Sequence, residues 1–188
     1  MITGHLGVAG VVRSASRERM SSLIFAALLL ASLTPDIVDL LYWLARFCSP
    51  YGLYSHTLHA IVLEAAVVGG VALLITDSWR IALLFAIVVL LHAPADFITG
   101  RKLLVPGGEM VGLRLYDRPS LDWLVEIPLV VIGWWLLRRS GRAPRWATSI
   151  WVVLGLIVTQ TTLDAAASRR GRGVKPNACP IIATPISP

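Results

Sequence analysis

Long stretches of apolar residues dominate this chain and limit the folds open to it. Five of them are long enough to cross roughly 30 Å of hydrocarbon as helices, because each helical residue adds about 1.5 Å. These stretches cover residues 21–46, 55–76, 80–98, 121–137 and 146–164. Their continuous apolar character differs from the alternating pattern of a membrane β-barrel. The pattern predicts an all-α fold, an integral membrane bundle of about five transmembrane helices.

The composition agrees with this prediction and excludes other classes of protein. Of the 188 residues, 56% are apolar and only 15% are charged, whereas soluble domains are about half apolar and a quarter charged. A disordered chain, a nucleic-acid-binding tail and an ordinary cytosolic domain are therefore excluded. The two cysteines, Cys48 and Cys179, lie far apart without a C-x-x-C spacing, which indicates neither a disulfide framework nor a thiolate metal site.

The two ends of the chain differ from its middle. Residues 1–12 form a shorter apolar run, about 18 Å long if helical, which predicts a half-membrane helix. A signal peptide is the alternative, because three arginines precede the apolar residues 23–33, but no A-x-A cleavage site follows. Residues 168–188 are basic and rich in proline, which predicts a flexible tail after a single transmembrane domain over residues 1–167.

Basic residues give the chain a formal charge of +6, and their positions bear on its orientation. Lysines and arginines divide almost evenly between the two predicted faces, eight against nine of the 17. The dense cluster Arg138–Arg145 and the arginines near the N-terminus share one face, which favours that face as the cytoplasmic one. We expect a multi-pass membrane protein, with membrane lipid as a partner and no nucleic acid.

Pairs of polar residues lie in or beside the apolar stretches at helical spacing. They are Asp36 with Asp39, His56 with His59, His92 with Asp96, and Asp122 with Glu126. Residues three or four apart project from one face of a helix. The pairs stand at the end of the first stretch, the start of the second, the end of the third and the start of the fourth. Since successive spans alternate in direction, all four pairs converge at one membrane face.

Ionisable groups at membrane depth are costly unless they have partners. Imidazoles and carboxylates are ordinary ligands of zinc, and one helical turn brings His92 and Asp96 to a shared ion. The sequence therefore predicts a site for one or more divalent cations, with Zn²⁺ expected. The alternative is a hydrogen-bonded pair that braces neighbouring helices.

The succession of motifs resembles a known family. The motifs are Gly4-His5, Pro35-Asp36-Ile37-Val38-Asp39, Tyr54-Ser55-His56-Thr57-Leu58, His92-x-x-x-Asp96, Gly112-Leu113-Arg114-Leu115-Tyr116 and Glu126. Together they are similar to the bacterial membrane-bound metal-dependent hydrolases of the YdjM/YbcI type, a DUF457-like group, over about residues 4–137. More distantly, the order of histidines and aspartates is similar to that of zinc-dependent phospholipase C.

The resemblance implies a metal site and a hydrolytic activity. At the motif positions it implies five metal ligands: His5, Asp36, His56, His92 and Asp96. The chain also departs from the family pattern. Tyr51 and Gly52 replace a histidine and an arginine that many members have before the Ser/Thr-His pair, and Ala93 and Pro94 stand where members often have an aromatic residue.

Other polar residues have an ordinary interpretation beside a functional one. Asp39 or Glu126 is expected to take the proton, and His59 and Asp122 are additional candidate ligands. His59 is equally explained as a histidine at the membrane interface, and Asp122 as an acidic residue at the start of a helix. The basic residues Arg101, Lys102 and Arg114 are candidates to hold a substrate phosphate or are solvated loop charges.

Three functions follow as hypotheses. The first is a membrane-embedded hydrolase that uses a metal-activated water to cleave an ester or phosphodiester. Its site near the headgroup layer favours a lipid-like or membrane-anchored substrate. The second is a small transporter or proton-coupled permeation protein, which Glu64 in mid-span favours. The third is a noncatalytic scaffold whose polar or metal cluster locks the helices together.

Overall fold

A computed structural model of the chain describes residues 2–47, 54–106 and 108–170, and this part is mostly helical, as predicted. Its helices are α1 (Ile2–Ala15), α2 (Ser22–Ala31), α3 (Thr34–Leu44), α4 (Leu58–Thr76), α5 (Trp79–Leu90), α6 (His92–Thr99), α7 (Pro119–Ser140) and α8 (Ile150–Arg170). Between α6 and α7 lie a short antiparallel pair, β1 (Lys102–Leu103) and β2 (Met110–Val111), and a 3-10 turn, Leu115–Asp117. Residues 171–188 of the predicted tail lie outside the described residues.

Three helical units of the described chain are long and apolar enough to cross a membrane. They are α4, the combined α5 and α6 (Trp79–Thr99), and α7. Helices α2 and α3 make a fourth span only if the two are taken together, and they are bent by 67°. The apolar part of α8, Ile150–Ala166, is a shorter helix. The described residues thus include three or four helical units that could cross a membrane by length and composition, and the predicted count of five is not confirmed.

Proline explains the bend between α2 and α3. Pro35 has no backbone N–H, so the carbonyl of Ala31 one turn earlier loses its helical partner. The hydroxyl of Thr34 donates to that carbonyl oxygen at 2.9 Å instead. Because the ladder is interrupted there, α3 leaves the axis of α2. It carries Asp36 and Asp39 in its first two turns.

A second proline sets the boundary between α5 and α6. Pro94 cannot donate to the carbonyl of Leu90, and the helix is interrupted at Leu91. A proline between His92 and Asp96 can kink the turn that joins these two residues. The break falls on the N-terminal side of His92 instead, since the missing hydrogen bond belongs to the preceding turn. His92 and Asp96 therefore remain one turn apart within α6.

The N-terminal helix α1 packs along α7, and this contact is very close. A Cβ atom on Gly7 would lie 2.6 Å from the carbonyl oxygen of Leu129, so only glycine permits the approach. Farther along, Gly10 lies against Gly133, which shows that the two helices run in the same direction. The apolar core lies between α1, α2, α4 and α5, where Leu28 and Val89 are fully buried. The short helix α1 is thus held inside the bundle, with its first turns near the start of α7.

Candidate metal centre

Five side chains from four parts of the fold meet at one end of the bundle. His5 comes from α1, Asp36 from α3, His56 from the turn before α4, and His92 and Asp96 from α6. The three imidazoles and Asp96 are buried. Two sets of ligand atoms lie within 4.8 Å of one another, namely His5, His92 and Asp96, and Asp36, His56 and His92. Each set could hold a metal ion, and they share His92.

A hydrogen bond to the backbone fixes the orientation of the His92 ring. Its Nδ1 atom lies 3.0 Å from the backbone carbonyl oxygen of Ser32, at the end of α2. A carbonyl can only accept, so Nδ1 carries the hydrogen. In the neutral imidazole the lone pair is then on Nε2. That atom faces Asp96 Oδ2 at 3.4 Å and Asp36 Oδ1 at 3.8 Å.

His56 has the same arrangement with different partners. Its Nδ1 atom lies 3.3 Å from Asp39 Oδ2 and 2.7 Å from Ser55 Oγ, and Ser55 donates its own hydrogen to Asp39. Because the carboxylate only accepts, Nδ1 donates and Nε2 is left with the lone pair. Nε2 lies 3.3 Å from Asp96 Oδ2 and 3.5 Å from Asp36 Oδ1. Burial alone would lower the pKa of His56, but the neighbouring carboxylates of Asp36 and Asp39 outweigh this effect and raise the pKa.

His5 closes the cluster on the side of α1. Its ring stacks on that of His92, with centroids 3.7 Å apart and planes inclined by 12°. Its Nε2 atom lies 3.3 Å from Asp96 Oδ1. Asp96 therefore contacts all three histidines, with one oxygen directed to His5 and the other to His56 and His92.

The centre of this cluster presents acceptor atoms to one another. Nε2 of His56 and Nε2 of His92 are buried without a hydrogen-bond partner among the described residues, and both nitrogens face Asp36 Oδ1 and Asp96 Oδ2. Buried polar groups in this state are costly, and a positive charge between them removes the cost. That charge is either a proton on an imidazole or a cation held by nitrogen and oxygen together. The donor set is the one that zinc and similar divalent ions accept.

One basic candidate reaches the cluster and two do not. The hairpin of β1 and β2 brings Lys102 Nζ to 3.1 Å from Asp96 Oδ2. Arg101, on the same loop, donates to the carbonyl of Met110 at 3.0 Å. Arg114 pairs with Asp117 at 2.8 Å, and both of these side chains are exposed. Lys102 is thus the predicted phosphate-binding residue that contacts the candidate metal centre.

Glu126 and Asp122 belong to a neighbouring polar group. Glu126 accepts hydrogen bonds from the Thr3 hydroxyl at 2.9 Å and from the Gly4 amide at 3.1 Å, and so caps the first turn of α1. Thr3 also lies 2.9 Å from Gln160 of α8. Asp122 is buried one turn before Glu126. This group holds the helix that carries His5. His59, the other additional candidate, is exposed on the first turn of α4.

Two contributors to the site were outside the sequence-based set. The carbonyl of Ser32 is a backbone group, and its position depends on where α2 ends, so residue type gave no signal. Ser55 lies in the motif that contains His56, but its residue type does not reveal that it links Asp39 to His56. The comparisons add no relative from which roles could be transferred: searches of protein-family models, of curated proteins and of solved structures find no match to this chain.

Proposed function

We propose that this chain is a membrane-embedded metal-dependent hydrolase that cleaves an ester or a phosphodiester in a lipid-like substrate. One observation carries the proposal: two imidazoles, each fixed through Nδ1, direct their Nε2 lone pairs at the same two carboxylates. In that arrangement His56, His92, Asp36 and Asp96 would hold the ion, and His5 would complete the set or serve a second ion. Zinc suits these donors best. The proposal agrees with the resemblance to membrane-bound hydrolases of the YdjM/YbcI type.

The chain's own residues supply distinct roles in such a reaction. When bound, a divalent cation supplies a Lewis acid that activates water near neutral pH. Asp39 keeps His56 oriented through Nδ1, in the manner of carboxylates behind metal-binding histidines. Lys102 stands beside the site with a charge that complements a phosphate or carboxylate oxygen. Asp36 is the more accessible carboxylate of the cluster, since 32% of its side chain is exposed against 4% for Asp96, so the site opens on the side of Asp36.

The open side of the cluster favours a substrate with an apolar part. Asp36 and Asp39 lie on α3, and the same helix exposes Leu40, Leu41 and Trp43 by half or more of their surface. Access to the carboxylates therefore passes beside an apolar surface, as a lipid or membrane-anchored substrate requires. We propose a bacterial inner membrane as the location, with this end of the bundle on the outer face, because the opposite end carries the arginine clusters.

One observation favours a second candidate, a proton-coupled permeation protein. Glu64 lies within the α4 span, and both of its carboxylate oxygens are buried without a hydrogen-bond partner among the described residues. A carboxyl group in mid-span is a frequent feature of proton paths. The hydrolase remains the better proposal, because the three buried histidines and Asp96 crowd one end of the bundle and do not line a path across it.

Metal analysis combined with an activity assay tests the proposal. The detergent-purified full chain is compared with His92→Ala, Asp96→Ala and the matched control His59→Ala, whose histidine is exposed outside the cluster. We expect stoichiometric metal and hydrolysis of a chromogenic phosphodiester or ester in the wild type and in the control, and loss of both in the two cluster variants. Wild-type protein without metal would overturn the proposal, and metal without turnover would favour a scaffold.

A further inference from the structure

A cleft of about 410 Å³ lies at the opposite end of α1 from the candidate metal centre. Arginines line it from the last turn of α1, from the connection between α1 and α2 and from the connection after α7: Arg13, Arg17, Arg19 and Arg142. Glu18 is the acidic residue in the lining. Its carboxylate is already engaged by Arg80, whose Nη1 atom lies 3.2 Å away. The cleft therefore has a strong excess of positive charge.

Arg13 makes this cleft different from an ordinary basic surface. Its side chain is 1% exposed, although most arginines at a membrane face are solvated. The guanidinium donates to two backbone carbonyls, of Arg142 at 2.8 Å and of Ser16 at 3.4 Å. Its Nε atom is buried without a partner, and no carboxylate of the described residues forms an ion pair with it. A buried guanidinium without a counter-ion is costly.

The surrounding arginines increase that cost. Arg142 donates to the carbonyl of Ser16 at 3.0 Å, so the two guanidinium groups are held around the same turn of backbone. Burial and the charge of Arg142 both lower the pKa of Arg13. Hydrogen bonds to the backbone thus hold these two like charges close together. An anion in the cleft would neutralise them, and it would find planar donors suited to phosphate oxygens.

We propose that this cleft binds a phosphate group, the headgroup of an anionic membrane lipid. The cleft lies beside the start of α2 and the end of α7, and the ends of membrane-crossing helices meet the headgroup layer, which is the depth at which lipid phosphates lie. Arg17 and Arg19 are exposed and supply mobile donors, whereas Arg13 supplies a fixed positive charge at the base. Bound lipid would tie the connection between α1 and α2 to the end of α7.

Thermal unfolding of the full chain in a non-ionic detergent tests this inference. The probes are a short-chain phosphatidylglycerol, a short-chain phosphatidylcholine and inorganic phosphate. The double variant Arg17→Gln/Arg19→Gln removes two exposed donors of the cleft. The matched control Arg139→Gln/Arg145→Gln removes the same charge from exposed arginines outside the cleft lining.

Phosphatidylglycerol is expected to raise the unfolding temperature of the wild type and of the control by several degrees, and to raise that of the cleft variant by less than half as much. Stabilisation by inorganic phosphate at the same concentration would identify free phosphate as the ligand instead of a lipid. The inference is overturned if phosphatidylglycerol acts no better than phosphatidylcholine, or if it stabilises the cleft variant as strongly as the control.

Discussion

At the scale of single residues, the site depends on the groups that accept a hydrogen bond from Nδ1 of His56 and of His92. Asp39 accepts from Nδ1 of His56, and the Ser32 carbonyl accepts from Nδ1 of His92. These contacts leave Nε2 of both rings available to a cation. The carbonyl cannot be removed by substitution, but the carboxylate can. Asp39 is therefore the residue at which the role of the supporting contacts can be measured.

Asp39→Asn is expected to weaken divalent cation binding by about 10- to 100-fold, the usual cost of losing a carboxylate behind a metal-binding histidine. The amide keeps the size of the side chain, and it lacks the charge that stabilises the hydrogen on Nδ1. Isothermal titration of metal into the purified chain measures the affinity. The control is Asp117→Asn, which removes an exposed carboxylate that is not part of the candidate metal centre. Equal affinities for Asp39→Asn and the wild type would show that Asp39 does not support His56.

Lys102 provides a second test at this scale. Its ammonium group lies 3.1 Å from an oxygen of Asp96 and so competes with a cation for that oxygen. Lys102→Met is expected to increase divalent cation affinity by about tenfold, which corresponds to roughly 1.4 kcal/mol. Turnover of a phosphodiester should fall, because the charge that meets the phosphate is lost. Arg101→Met is the control, since Arg101 contacts the Met110 carbonyl. A weaker cation affinity in Lys102→Met would contradict this interpretation.

At the scale of helices, two features position the site: the proline breaks and the close contact of α1 with α7. The breaks at Pro35 and Pro94 direct α3 and α6 so that their acidic residues face the histidines. The contact at Gly7 keeps α1 inside the bundle, and His5 lies two residues before that contact. Loss of the contact should thus affect both stability and the cation site.

Gly7→Leu is expected to lower the free energy of unfolding by about 1–3 kcal/mol, because the added side chain would collide with the backbone of α7. Metal content should fall as well, since His5 moves with α1. The matched control is Gly70→Leu, because a Cβ at Gly70 meets nothing within 4 Å. Thermal unfolding and metal analysis of both variants provide the measurements. Similar unfolding temperatures for the two variants would contradict the packing described here.

At the scale of the whole molecule, the meeting of Asp36, His56, His92 and Asp96 could be predicted from the sequence. Helical spacing and the alternating direction of successive spans predicted that the polar pairs converge at one face, and the family resemblance implied which of their members are ligands. The separation of Glu126 from the cluster could not be predicted, since it depends on where the first turn of α1 meets α7. The angle between α2 and α3 could not be predicted from the sequence either. A proline predicts a break, but the neighbouring helices determine the direction of the next helix.

The count of spans shows another limit of sequence analysis. Residues 146–164 have the composition of a span, but Gln160 and Asp164 of α8 form a polar turn near the site end of the bundle. Gln160 also contacts Thr3 of α1. Apolar length alone cannot distinguish a complete span from a helix whose polar end packs against a buried group. The short helix α1 was predicted from its length, but its burial along α7 required the structure.

We propose that imidazoles and carboxylates from separate helices hold one cation at the end of the bundle. X-ray absorption at the zinc edge of the zinc-loaded full chain measures the ligand set directly. We expect at least two imidazole nitrogens at about 2.0–2.1 Å together with carboxylate oxygens, and a weaker imidazole signal in His92→Ala. A spectrum with oxygen ligands alone, or one unchanged by His92→Ala, would contradict the account.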